Sequence, residues 1–229
     1  MGVQVPKKSE GTRTLGLLSI EDKIVQNGIN FLIEPFIEPQ LHSSCYAYRP
    51  GKGHAKAVRR CLHECRQASS KVYVRLDVKE FFDTIDREIL LHQLSSIVPD
   101  NDILSLVRLC ISMGRVAPSL KWEECEVGIP QGAILSPLLS NLYLVTFDKF
   151  MESISCAYIR YSDDCVAWFS DTDSAHTASR RRKMVKALER LVDKGKDQIA
   201  VYRICVECFT KITYFPERKE SVQKISVLD

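Results

Sequence analysis

The sequence has no uninterrupted apolar run near the roughly 20 residues that a membrane-spanning helix requires. Its opening residues, MGVQVPKKSEGTRTLG, also lack the apolar core of a secretory signal. The expectation is a cytoplasmic protein with no membrane partner. Excess charge is scarce too. A formal net charge of +3 is too small to demand a polyanionic partner, although Lys7, Lys8, Arg13, Arg59, Arg60 and the run from Arg180 to Lys183 form local basic clusters. The five histidines, His42, His54, His63, His92 and His176, show no metal-ligand spacing with one another. No internal repeat or low-complexity tract interrupts the chain. What remains is a 229-residue chain with 45% hydrophobic and 27% charged residues, enough for one good core or two intimately joined lobes. Nine cysteines at irregular spacing read as small core residues in a reducing compartment. Cys205 and Cys208 form a CxxC pair, and Cys61 and Cys65 could share a helical face, but neither supplies the four matched ligands of a structural zinc site.

The pattern SIEDKIVQNGINFLIEPFI predicts an amphipathic helix from an N-cap at Ser19 to about Ile37, interrupted near its end by Pro35. Turn chemistry follows in SSCYAYRPGKGH, then a second helix over about 55–67. At KVYVRLDV the period changes to two: Val72, Val74, Leu76 and Val78 alternate with Tyr73, Arg75 and Asp77, which predicts a strand with Asp77 opposite the apolar set. Helices are expected over about 87–97, 102–113 and 137–151, the last beginning after the turn PQGAILS. In SCAYIRYSDDCVAWFS two short β-prone runs flank Ser-Asp-Asp, the pattern of a hairpin with acidic residues at its tip. A basic helix over about 172–194 and short strands around VYRICV and KITYF complete the reading. The fold class is α+β, a small antiparallel sheet covered by helices on one side.

Phosphoryl transfer from a nucleoside triphosphate must neutralise an attacking oxygen and a leaving pyrophosphate, which two magnesium ions about 3.5–4 Å apart can do. Magnesium keeps waters and substrate oxygens in its shell, so a few converging carboxylates suffice to hold it. Asp77 at a strand end and Asp163 with Asp164 on a hairpin turn are candidates. Adjacent carboxylates repel, and a cation between them relieves the repulsion. Taken alone, an Asp-Asp pair equally well makes a solvated turn.

Five segments in order, RTLGLLSIEDKIVQ, SCYAYRPGKG, VRLDVKEFFDTID, GIPQGAILSPLLSNLYL and IRYSDD, resemble the successive motifs of bacterial group II intron-type reverse transcriptases over about residues 13–168. YSDD is a variant of the family's Tyr-x-Asp-Asp signature, with Ser162 at the variable position. The resemblance implies a right-hand polymerase's fingers and palm. It implies that Asp77, Asp163 and Asp164 hold two Mg2+ ions (with Mn2+ as a substitute), and that the backbone carbonyl of Val78 also reaches a metal. Phe82, five residues after Asp77, falls where the family places a ring under the incoming sugar. There it would act as a steric gate against the 2′-hydroxyl, which implies a deoxynucleotide substrate; the competing reading is that Phe81 or Phe82 is simply core. Gln131 in GIPQG is expected to reach the incoming nucleotide, and Arg13 its triphosphate, with Lys7 or Lys8 assisting. Arg49 in YRPG either contacts template or braces the fingers.

The implied organisation is fingers over 1–69 with a second portion near 100–132, palm over 70–99 and 133–205, and a divergent tail over 206–229. The family's thumb is expected to be absent or supplied by a partner chain. The implied function is an RNA-directed DNA polymerase core acting on an RNA template, a nucleic-acid primer and deoxynucleoside triphosphates. Alternatives within the same resemblance are a truncated or degenerate RNA-binding maturase-like module, and a defence or CRISPR-associated reverse transcriptase.

Overall fold

The computed structural model describes residues 2–6, 12–66, 71–76, 78, 80–116, 122–123, 127–153 and 157–170. Helix α1 (Ile20–Ile37) starts where its sequence says it should, because the Ser19 hydroxyl accepts the Asp22 amide N–H at 3.0 Å. It runs through Pro35 rather than stopping there. Pro35 and Phe31, one turn earlier, are both exposed, so the carbonyl that loses its helical donor lies on the solvent side, where water can serve it. α1 buries Gln26, Ile29, Ile33 and Ile37. Helix α2 (His54–Arg66) follows the YRPG turn.

Strand β3 is described over Lys71–Leu76, and Val78, expected to belong to it, lies in no strand. A four-residue helix α3 (Phe81–Thr84), too short for any periodicity to reveal, comes next. Helices α4 (Arg87–Ser95) and α5 (Asn101–Ser112) are N-capped by Asp86 and Asp100, each accepting two backbone N–H groups. The single helix expected over 137–151 is two, α6 (Ser136–Tyr143) and α7 (Val145–Ser153), separated at Leu144. At the break, Gln93 of α4 donates to the Tyr143 carbonyl at 3.4 Å and to Thr146 Oγ1 at 3.2 Å. Two short pairings were not legible in the sequence: β1 (Gly2–Pro6) with β2 (Thr12–Gly16), and the two-residue β4 (Arg115–Val116) with β5 (Trp122–Glu123).

Strands β6 (Ala157–Tyr161) and β7 (Asp164–Ser170) form the expected hairpin, and β7 is the middle strand of an antiparallel sheet ordered β3–β7–β6. Strand alternation gives the sheet two faces. Tyr158, Cys165 and Ala167 join the main core, which α1, α4, α5, α6 and α7 fill with residues such as Ile33, Leu94, Ile111, Leu139 and Phe147. Each fully buried aliphatic or Phe side chain there contributes about 1.5–3 kcal/mol. The opposite face is not bare, contrary to the one-sided covering expected. Ile159 and Trp168 pack with Ala57 of α2 and are flanked by Tyr46 and Cys61, because α2 carries a narrow apolar stripe on an otherwise charged helix. Among the described residues no helix is long and apolar enough to cross a membrane.

Candidate functional site

The hairpin turn is the two-residue loop Ser162–Asp163, with Tyr161 paired to Asp164 across its base. Ser162 has φ +59° and Asp163 is not among the positive-φ residues, the signature of a turn with only its first loop residue left-handed. A non-glycine residue in that region costs about 1–2 kcal/mol, so something must hold it. Asp163 and Asp164 are half-buried, whereas Ser162 is buried and its Oγ has no hydrogen-bond partner. The last residue of β3, Leu76, lies opposite Cys165, the residue after Asp164. β3 therefore ends beside the acidic turn. Asp77 itself lies outside the described residues.

Arg160, a residue the sequence reading missed, reaches the turn from the core. It shares the core-side face with Tyr158 and is 1% exposed. Its Nε donates to Asp148 Oδ1 at 2.9 Å and its Nη2 to Asp148 Oδ2 at 2.5 Å. Its Nη1 donates to Asn141 Oδ1 at 2.9 Å and to the Ser162 carbonyl at 3.0 Å. Asn141, in turn, donates to the Ala47 carbonyl at 2.8 Å and accepts from Cys45 Sγ at 3.2 Å. Tyr158 Oη lies 3.2 Å from Asp148 Oδ1 and 2.8 Å from His42 Nδ1. Burial opposes the charge of Arg160, but the charge and hydrogen bonds of Asp148 outweigh it and push its pKa up. Burial first, and Asp148 second, push the Tyr158 phenol far above its usual range; burial also raises the Cys45 thiol. A signal for this cluster existed. Arg160 occupies an inward strand position, and Asn141 and Asp148 are polar residues seven apart on otherwise apolar helical faces.

A second constellation forms around GIPQG. The Gly128 amide donates to the Ile85 carbonyl at 3.1 Å, Ile129 to that of Phe82 at 2.8 Å, and Gly16 to that of Gln131 at 2.7 Å. Three sequence motifs are thereby joined through their backbones. Both loop glycines are obligatory. A Cβ at Gly128 (φ +80°) would lie 2.6 Å from the Phe82 carbonyl oxygen, and one at Gly132 (φ +94°) 2.8 Å from that of Gly16. Gln131 Nε2 reaches Asp83 Oδ2 at 3.3 Å. Gln26, 1% exposed, accepts the Ile134 amide at 3.0 Å through its side chain and so serves an orphan N–H at the start of α6. Phe81 is buried against Tyr143 and contacts Phe82 edge-on, while Phe82 is only half-buried.

The structure therefore brings Phe82, Gln131 and the end of β2 together. Arg13 lies on β2, paired with Val5. Arg49 resolves to one of its two readings. It donates to Glu38 Oε1 at 2.6 Å and to the His42 and Cys45 carbonyls at 2.7 and 3.1 Å, and is only 8% exposed. It braces the loop from inside. Lys7, Lys8, the Arg180–Lys183 run, the expected helix over 172–194 and the Cys205/Cys208 pair lie outside the described residues. Among the described residues no three His, Cys, Asp or Glu side chains cluster as a metal site. The two that the turn does present, Asp163 and Asp164, are hard oxygen donors of the kind magnesium takes.

A small antiparallel sheet packed on helices, with an acidic hairpin beside a strand end, is consistent with the fingers-and-palm fold. Residues 5–207 match the family described as reverse transcriptase (RNA-dependent DNA polymerase), and the chain belongs to that family. It is 29% identical over 153 residues to protein YkfC of Escherichia coli K12, covering 66% of this chain and 40% of the relative. It is 28% identical over 158 residues to the group II intron-encoded protein LtrA of Lactococcus lactis subsp. cremoris, covering 69% and 26%. An uncharacterized 91 kDa protein in the cob intron of Schizosaccharomyces pombe is 30% identical over 156 residues, covering 68% and 19%. The chain thus spans less than half the length of these relatives. A telomerase structure from Candida tropicalis, in complex with a fragment of telomeric RNA, superposes with a TM-score of 0.62 at 12% identity, covering 83% of this chain and 38% of that one. At that identity the likeness concerns the fold alone.

Two predictions follow from the turn and loop geometry. Gly128→Ala should destabilise the protein by more than about 2 kcal/mol in urea denaturation, because both φ and the Phe82 carbonyl forbid the methyl group. Gly51→Ala, also at positive φ (+67°) but with open space around it, should cost less, about 1–2 kcal/mol. The second concerns pH. In the unfolded chain Tyr158 ionises near the ordinary phenol pKa of about 10, whereas the folded protein keeps the proton. Its stabilising contribution is complete below that pH and is lost as pH rises above it. Thermal melts should show an alkaline fall in Tm that is shallower in Tyr158→Phe; equal slopes would contradict the buried phenol.

Proposed function

We propose that this chain is the fingers and palm of an RNA-directed DNA polymerase, in which a primer 3′-hydroxyl attacks the α-phosphate of a deoxynucleotide and pyrophosphate leaves. The observation that carries the reading is the YSDD turn beside the end of β3, in a chain of the reverse transcriptase family. In this reading Asp77, Asp163 and Asp164 hold two Mg2+ ions, with Mn2+ as a substitute, whose charge when bound stabilises the attacking and leaving oxygens. The turn aims its carboxylates from a rigid base. Phe82, backed by the buried Phe81, presents its ring to the sugar and excludes a 2′-hydroxyl. Gln131 and Arg13 bind the nucleotide, the first held at its backbone by Gly16, the second through its guanidinium on the triphosphate. RNA template and primer lie across the fingers (1–69 and near 100–132) and the palm (70–99 and 133–205).

Purified protein given primed RNA, deoxynucleotides and Mg2+ should extend the primer. Asp163→Asn should reduce extension by roughly 10²-fold or more, and Phe82→Ala should raise incorporation of ribonucleotides relative to deoxynucleotides. Extension unchanged by Asp163→Asn would reject the site. Tight, salt-sensitive RNA binding with no extension under any metal would instead favour an RNA-binding, maturase-like module.

A further inference from the structure

We infer that Arg160 is a positioning residue for the acidic turn: acting through the Ser162 carbonyl, it sets the place from which Asp163 and Asp164 present their carboxylates to a divalent cation. The inference rests on the functional reading above and deepens it. Ser162 sits at φ +59° without being glycine, and its buried hydroxyl makes no hydrogen bond. A contact from Arg160 Nη1 to the Ser162 carbonyl, at 3.0 Å, reaches the turn from the core. The guanidinium making it is itself immobilised by Asp148 and Asn141.

The chemistry of the group fits this role. A guanidinium offers a planar fork of five N–H donors. Here Nε and Nη2 grip one carboxylate, leaving both hydrogens of Nη1 for Asn141 and the turn. A lysine in the same strand position would offer three donors from a single point and could not span Asp148, Asn141 and Ser162 in one plane. Asp148 has a second effect. An unneutralised cation behind two carboxylates would compete with the metal for their field, whereas the Arg160–Asp148 pair is neutral overall.

Mg2+ alone is the probe. In 15N NMR of the full chain, increasing Mg2+ should move the backbone amides of Asp163 and Asp164, and Arg160→Lys should raise the half-saturating concentration by about tenfold or more while leaving amide dispersion intact. Half-saturation within twofold in a folded Arg160→Lys protein would overturn the inference. If Arg160→Lys does not fold, Asp148→Asn carries the same measurement, since it keeps an acceptor for the guanidinium but leaves its charge unneutralised; the same rise is expected and the same twofold limit applies. If neither variant folds, the Arg160 Nη1 resonance of the unmodified chain should shift with the same midpoint as the Asp163 amide, and a line that stays put would refute the coupling. Absence of any Mg2+-dependent shift at Asp163 and Asp164 in the unmodified chain would instead reject the functional reading itself.

Discussion

A charged guanidinium buried to 1% exposure must find an acceptor for its donors and a partner for its charge, and nearly everything around the hairpin is arranged to satisfy Arg160. Asp148 supplies the charge from α7, Asn141 the second acceptor from α6, and the Ser162 carbonyl the third. Removing one partner of such a pair leaves an uncompensated buried charge and costs about 3–5 kcal/mol. The two helices cannot slide relative to β6 without breaking it. Their side-chain packing, from Leu139 and Leu142 on α6 to Phe147 and Met151 on α7, supplies most of the stabilisation, but dispersion contacts are non-directional. The polar cluster is what specifies a single register for helices and hairpin.

The GIPQG loop solves a related problem largely with backbone. Gly128 and Gly132 let one loop touch the backbone of Phe82 and Gly16 at distances that no Cβ would tolerate, and each close approach carries a hydrogen bond nearby. Side chains add to this backbone frame: Arg87 donates to the Gly128 carbonyl at 2.6 Å and Ser136 to that of Pro130 at 2.7 Å. Tyr48 and Glu80 share with Ser162 a left-handed backbone without being glycine, and all three lie within the motif segments quoted above. Unusual backbone geometry thus accumulates in the segments that carry the family signature.

Much of this was legible beforehand. The period-two alternation of KVYVRL and the β-prone runs around Ser-Asp-Asp marked the sheet, and Ser19 marked the start of α1 correctly, because each rests on short-range physics that a window of residues contains. The elements that escaped notice depend on tertiary contacts. The break at Leu144 lies where Gln93 reaches in from another helix, and α3 and the β4–β5 pairing are shorter than any hydrophobic period. Arg160 escaped because a basic residue in a strand ordinarily reads as an outward one, and only the combination with Asp148 and Asn141 turns it inward. Arg49 could not be assigned from YRPG alone, since Glu38, its charge partner, lies eleven residues earlier at the end of a helix.

One detail of the sheet edge reaches further than its size suggests. β6 is bordered by an isolated parallel bridge between Cys45 and Arg160, in which the Arg160 amide donates to the Ser44 carbonyl at 2.8 Å and its carbonyl accepts the Tyr46 amide at 2.9 Å. The residue whose side chain clamps the acidic turn thus carries the 44–46 loop on its main chain. The 44–46 loop and the acidic turn are tied to the main chain and side chain of one residue.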